Sequence, residues 1–144
     1  MEHNPIPFGL DGIDHIVLRV RELRRMMDFY TGVLGCVVER ERADLGLFQL
    51  RAGHSLIDLV TLDGELGRAG GAGPGAQGRN VDHFCLGVHP FDDAAIRRHL
   101  AAHGVEPGKS AVRYGAGGDG PSIYLNDPEG NGIELKAVHP PRVP

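Results

Sequence analysis

The sequence predicts an α+β fold built from two similar βαβββ halves, and three observations carry that prediction. One strand-like stretch occurs twice, as Ile13-Asp14-His15-Ile16-Val17-Leu18-Arg19-Val20 and as Val81-Asp82-His83-Phe84-Cys85-Leu86-Gly87-Val88. Each copy is followed by a helical pattern and further strand-like runs, ending on an apolar–acidic–apolar triplet: Ile57-Asp58-Leu59 in one half, Ile133-Glu134-Leu135 in the other. A glycine-rich segment, Asp63–Asn80, lies between them. An internal repeat decides architecture before any single motif does. The 144 residues therefore read as one domain, with a first module over 12–62, a linker over 63–80 and a second module over 81–138.

The elements follow in order. Residues 1–12 are polar, contain two prolines and read as a loosely held arm. Ile13–Val20 is a strand whose alternation sets His15, Val17 and Arg19 on one face and Asp14, Ile16, Leu18 and Val20 on the other. Glu22–Leu34 is a helix with Leu23, Met26, Met27, Tyr30, Val33 and Leu34 as its buried stripe, ended by Gly35. Cys36–Glu41, Leu45–Arg51 and Leu56–Thr61 are strands. In the second half, Asp82–His89 is a strand, Phe91-Asp92-Asp93 opens a helix with an acidic cap, and Gly104 ends it. Val112–Tyr114, Ser122–Leu125 and Gly132–Val138 are strands, with Gly115–Gly120 as a second glycine-rich loop. The last two are joined by the turn Asn126-Asp127-Pro128-Glu129-Gly130-Asn131.

Composition narrows the function classes. Hydrophobic residues make up 41% and charged residues 24%, which is ordinary for a globular protein. A net charge of −4 argues against nucleic acid as a partner. No apolar run approaches the roughly 20 residues of a membrane span, and Met1–Pro5 shows no basic-then-apolar leader pattern. Two cysteines, Cys36 and Cys85, do not make a disulfide framework. A cytoplasmic protein with a small-molecule substrate is expected.

Two histidines and two carboxylates occupy matching positions in the two repeats. A carboxylate between apolar neighbours in a half-buried strand is expensive to desolvate unless it is paired or bound to metal. His15, His83 and Glu134 are accordingly expected to hold a metal, with Asp58 as a possible fourth ligand. Imidazole and carboxylate suit Zn, Ni, Fe(II) or Mn, and ligand type alone does not choose among them. Cys85 alternates onto the face of His83. His54, His89, His99 and His103 read as surface residues. Tyr114 and Arg113 flank the second glycine cluster, where they could form a substrate lid.

Four segments together resemble the vicinal-oxygen-chelate superfamily, which includes glyoxalase I, extradiol dioxygenases, fosfomycin-resistance thiol transferases and bleomycin-resistance proteins. They are Asp14–Val20, Asp28-Phe29-Tyr30-Thr31-Gly32-Val33-Leu34-Gly35, Asp82-His83-Phe84 and Asp127-Pro128-Glu129-Gly130-Asn131-Gly132-Ile133-Glu134. The resemblance implies paired βαβββ modules forming an open, U-shaped barrel around one divalent metal per site, which chelates two neighbouring substrate oxygens. It carries His15, His83 and Glu134 onto the metal positions and Asp58 onto that of the remaining glutamate of glyoxalase I. Arg19 falls where an arginine contacts glutathione, and Tyr124 where extradiol dioxygenases carry a tyrosine.

The implied function is a glyoxalase I-like lyase or isomerase working through a metal-stabilised enediolate. Glu134 is the first candidate for the proton-moving carboxylate and Asp58 the second, with Tyr124 assisting and Arg19, Tyr124 and Tyr114 binding substrate. The alternatives are a non-haem Fe(II) dioxygenase using His15, His83 and Glu134, and a drug-resistance type of ligand-binding protein. Three departures bear on the choice: Asp58 replaces glutamate, Leu62 stands where glyoxalase I has asparagine, and no histidine shortly precedes Tyr124. The length of the 63–80 segment and the resemblance imply a homodimer, with His15 of one chain sharing a metal with His83 and Glu134 of the other.

Overall fold

The computed structural model describes residues 6–138; the expectation for Met1–Pro5 lies outside them. The first module runs β1 (His15–Val20), α1 (Leu23–Asp28), β2 (Val37–Arg42), β3 (Leu47–Ala52) and β4 (Ser55–Thr61). A short helix, α2 (Glu65–Arg68), begins the segment that leads to the second module. There β5 (His83–Val88), α3 (Asp93–Ala102), β6 (Ala111–Gly115), β7 (Gly118–Asn126) and β8 (Gly132–Ala137) repeat the order. The strands form two four-stranded sheets, β1-β4-β3-β2 and β5-β8-β7-β6, each mixed and neither closed on the other. This is the two-module α+β architecture that the repeat predicts.

The registers are equivalent. β1 and β4 run parallel with Val17 opposite Asp58, and β5 and β8 run parallel with Cys85 opposite Glu134. Across the antiparallel neighbour, Gln49 of β3 faces Asp58 and Tyr124 of β7 faces Glu134. Period-2 alternation then sorts each strand. Leu18, Val20, Ile57 and Leu59 point into the core, and His15, Val17 and Asp58 take the other face.

The core belongs to both modules. Leu18, Val20, Met26, Phe29, Tyr30, Leu50, Ile57 and Leu59 form one cluster with Leu100, Leu125, Ile133 and Leu135. The turn after β7 locks the two together. Asp127 accepts hydrogen bonds from the backbone N–H groups of Glu129 and Asn131 at one carboxylate oxygen. At the other it accepts from the Asn131 side chain and from the Tyr30 hydroxyl, both at 2.7 Å. Glu129 reaches the start of α1, whose N-cap residue Glu22 makes no side-chain cap. Its carboxylate accepts from the N–H groups of Arg21 and Glu22 at 2.8–3.0 Å, supplying from another module the anion a helix N-terminus favours. Asn80 bridges the same boundary, exchanging two hydrogen bonds with the Arg19 backbone and donating to Asn131 Oδ1.

Three expectations are corrected. The helix drawn over Glu22–Leu34 is α-helical only to Asp28 and widens to a π-turn over Phe29–Val33. It ends at Gly35 as expected, in the left-handed conformation at φ 76°, and the Leu34 N–H closes the π-turn on Phe29 O. The Gly115–Gly120 loop is a tight hairpin instead: Gly115 ends β6, Gly118 begins β7 and only two residues turn between them. The 63–80 segment is not a free tether carrying the second module away from the first. It contains α2, and Gly70 and Gly73 pack so closely on Arg19 and Arg21 that a Cβ at either would lie within 3 Å of a guanidinium atom. Glycine there serves close approach rather than flexibility.

Candidate metal centre

The first candidate pair, His15 and Asp58, sits at the start of β1 and the middle of β4. His15 is turned by the residue before it, its Nδ1 lying 2.7 Å from Asp14 Oδ1. That contact, and after it the charge of Asp58, raises the His15 pKa above its ordinary value. Asp58 is only 3% exposed. Its Oδ2 accepts from Gln49 Nε2 at 3.1 Å, while Oδ1 is buried without a partner.

The second pair repeats the arrangement. His83 Nδ1 lies 2.6 Å from Asp82 Oδ2, and His83 Nε2 faces Glu134 Oε1 at 3.6 Å. Tyr124 takes the place that Gln49 has in the first module. Its hydroxyl is 3.5 Å from His83 Nε2, its ring meets the imidazole edge-on, and Glu134 raises its pKa. Burial, with the Glu134 charge added, pushes the Cys85 thiol on the same face up to about 11.

The chain brings these residues together in two pairs and not as four. Among the described residues, no three His, Cys, Asp or Glu side chains converge closely enough to hold a metal. Arg19 follows His15 on the same face, but its guanidinium donates to the carbonyls of Gly71 and Ala72 at 3.1 and 2.8 Å. Tyr114 is 83% exposed on β6 and joins neither pair. Sequence reasoning missed Asp14, Asp82 and Gln49. The repeated Asp-His dipeptide was the available signal for the first two; Gln49 becomes visible only through the β3–β4 register.

A family model described as Glyoxalase/Bleomycin resistance protein/Dioxygenase superfamily matches residues 12–135. The chain belongs to this superfamily. Its relatives include a glyoxalase domain-containing protein of Mycosarcoma maydis, 32% identical over 87% of this chain and 67% of the relative. Another is the Virulence protein STM3117 of Salmonella typhimurium, 30% identical over 92% and 88%. Among solved structures, an integron cassette protein from V. cholerae matches with a TM-score of 0.73 at 28% identity, covering 93% of this chain and all of that one. A lactoylglutathione lyase from Agrobacterium tumefaciens matches at 0.64 and 21%, over 89% and 94%, which shows shared fold alone.

Members of the glyoxalase superfamily generally use a divalent metal, and the residue types of the two pairs suit one. Each histidine has its Nδ1 occupied by an aspartate, the usual outer partner of a metal-bound imidazole, which leaves Nε2 available to a metal. The orphaned Oδ1 of Asp58 is a buried lone-pair donor with nothing to bond.

Proposed function

We propose that this protein is a metal-dependent enzyme of the glyoxalase type, a lyase or isomerase acting on a small substrate with two neighbouring oxygens. The observation that carries this reading is the pair of equivalent half-sites, His15 with Asp58 and His83 with Glu134, each on the same face of its sheet. Lewis acidity toward two adjacent substrate oxygens is the chemistry that a divalent metal (Zn, Ni, Fe or Mn) supplies there when bound. His15, His83 and Glu134 would hold it, with Asp58 as the fourth donor.

The residues of the chain then divide the remaining work. Glu134, 6% exposed and with Oε1 3.6 Å from His83 Nε2, is the carboxylate that moves a proton between adjacent substrate carbons, because it stands where those carbons would lie. Asp58 is the second candidate. Tyr124 hydrogen-bonds at the same point and orients the substrate beside Glu134.

Because each chain carries its donors in two separated pairs, a second copy must bring the complementary pair, and the functional unit is a symmetric homodimer. His15 and Asp58 of one subunit face the His83–Glu134 pair of the other. Mixing His15→Ala protein with Glu134→Ala protein tests this. After subunit exchange, mixed dimers hold one site with every ligand and one lacking two. Part of the metal content, measured by elemental analysis, should return; no recovery would rule out the shared site.

A further inference from the structure

Lys136 follows Glu134 by two residues along β8 and lies on the same face, yet it is only 7% exposed. Its strand neighbours are Gly87 and Ser122. The ammonium donates to one acceptor, the Gly118 carbonyl, at 2.8 Å. The second glycine cluster is what admits it: a Cβ on Gly115 would meet Lys136 Cδ and Cε at 3.1 Å, and one on Gly120 would meet Nζ at 3.2 Å. Two strands from β8, on β6, Arg113 donates Nη1 to Ser122 O and Oγ at 3.1 and 2.7 Å. Its guanidinium stacks over the Tyr124 ring, 4.5 Å from the centroid.

Among the described residues neither cation is in an ion pair. An ammonium has three donors and a guanidinium five, so both keep donors to spare. Burying a cation without an anion is costly; Lys136 is buried and Arg113 half-buried. The first module has no such pair: the register positions of Lys136 and Ser122 are filled there by Val60 and Leu47, while Arg19, at the position of Gly87, spends its donors on loop carbonyls.

We infer that Lys136 and Arg113 form an anion-binding subsite that selects substrates carrying a carboxylate or a phosph(on)ate group. Arginine and lysine together recognise such groups through charge-assisted hydrogen bonds. Two residues along a strand span about 7 Å, so the anion lies about that far from the oxygens bound near Glu134. The substrate class is thus a short acid with vicinal oxygens at one end and the anionic group at the other, with Tyr124 between them. This rests on the metalloenzyme reading for the position of the oxygens but not for the anion contact.

The test uses the full-length protein and two probes, acetate and inorganic phosphate, titrated while the backbone amides of Gly118, Gly120 and Ser122 are followed by NMR. At least one probe should give saturable shifts, in chelator-treated and in zinc-loaded protein, and the better one identifies the substrate's anion. Lys136→Met and Arg113→Met should each weaken binding at least tenfold, whereas Arg98→Met, on the exposed side of α3, should not. Lys136→Gln replaces Lys136→Met if the latter fails to fold. Absence of saturation with both probes, or unchanged binding in both variants, overturns the subsite. Zinc analysis of the same samples keeps the two readings apart: lost anion binding with zinc retained defeats only the subsite, and retained anion binding without zinc uptake defeats only the metal site.

Discussion

The Tyr30 hydroxyl donates to the Asp127 carboxylate over 2.7 Å, a fully buried bond from the first module to the second. Burial first, then the Asp127 charge, drives the Tyr30 pKa upward, so the phenol stays protonated and remains a donor. The same carboxylate organises the β7–β8 turn that carries Glu129 to α1. One side-chain contact therefore ties the module carrying His15 to the module carrying Glu134.

Tyr30→Phe removes the donor and leaves a buried carboxylate oxygen one bond short. Stability should fall by about 1–3 kcal/mol. Urea denaturation should show a lower midpoint with an unchanged slope, since the folded state buries the same surface. A midpoint equal to wild type would mean that the two modules do not depend on this bond.

His15→Ala or His83→Ala should remove most of the bound metal. Glu134→Gln should weaken metal binding and lower turnover about 100-fold or more, while Asp58→Asn should have the milder effect on metal content because Gln49 already occupies one of its oxygens. Elemental analysis beside turnover separates the roles. Equal metal loss in Asp58→Asn and Glu134→Gln would make Asp58 a full ligand.

The pH dependence follows from His15. Its folded pKa is raised, first by the Asp14 hydrogen bond and then by Asp58. The protonated pair therefore favours the folded state below the unfolded value, and this contribution is lost as pH rises through the folded one. Metal capture needs the neutral ring, so uptake should grow as pH rises through that raised value. NMR titration of metal-free protein should find His15 above 6.5 and lower in Asp14→Asn. A His15 titrating at or below 6.5 contradicts this account.

Gly132 adjoins His83 across the β5–β8 ladder. A Cβ there would lie 2.8 Å from the Asp82 carbonyl oxygen and 3.0 Å from His83 Cβ. Gly132→Ala should cost about 1–3 kcal/mol and displace the second donor pair, reducing metal content. Gly117→Ala, with nothing within 4 Å of the added carbon, is the neutral control, expected within about 0.5 kcal/mol of wild type. Gly132→Ala with wild-type stability and metal content would show that β5 yields without cost.

The two-module fold was legible in the order of residues, because strand alternation and helix spacing are local periodicities and the Asp-His strand repeats them. So was the strand face of His15, Asp58, His83 and Glu134, which period 2 alone assigns. The π-turn over Phe29–Val33 and the strand character of Gly118–Gly120 were not legible. The first follows from packing of Phe29 and Tyr30 into a core shared with the second module, and the second from pairing with β6 across a two-residue turn.

By itself the sequence determined that matching histidines and carboxylates lie on matching strands. Only the tertiary structure decided that they remain in two pairs, that Asp14 and Asp82 turn each imidazole, and that Gln49 and Tyr124 stand beside the carboxylates. It also decided that the glycines of 63–80 and 115–120 make room for Arg19, Arg21 and Lys136. The reason is range. Which face a side chain takes depends on its neighbours along the strand, whereas what it meets there depends on register and on packing between segments up to 108 residues apart, as Arg21 and Glu129 are.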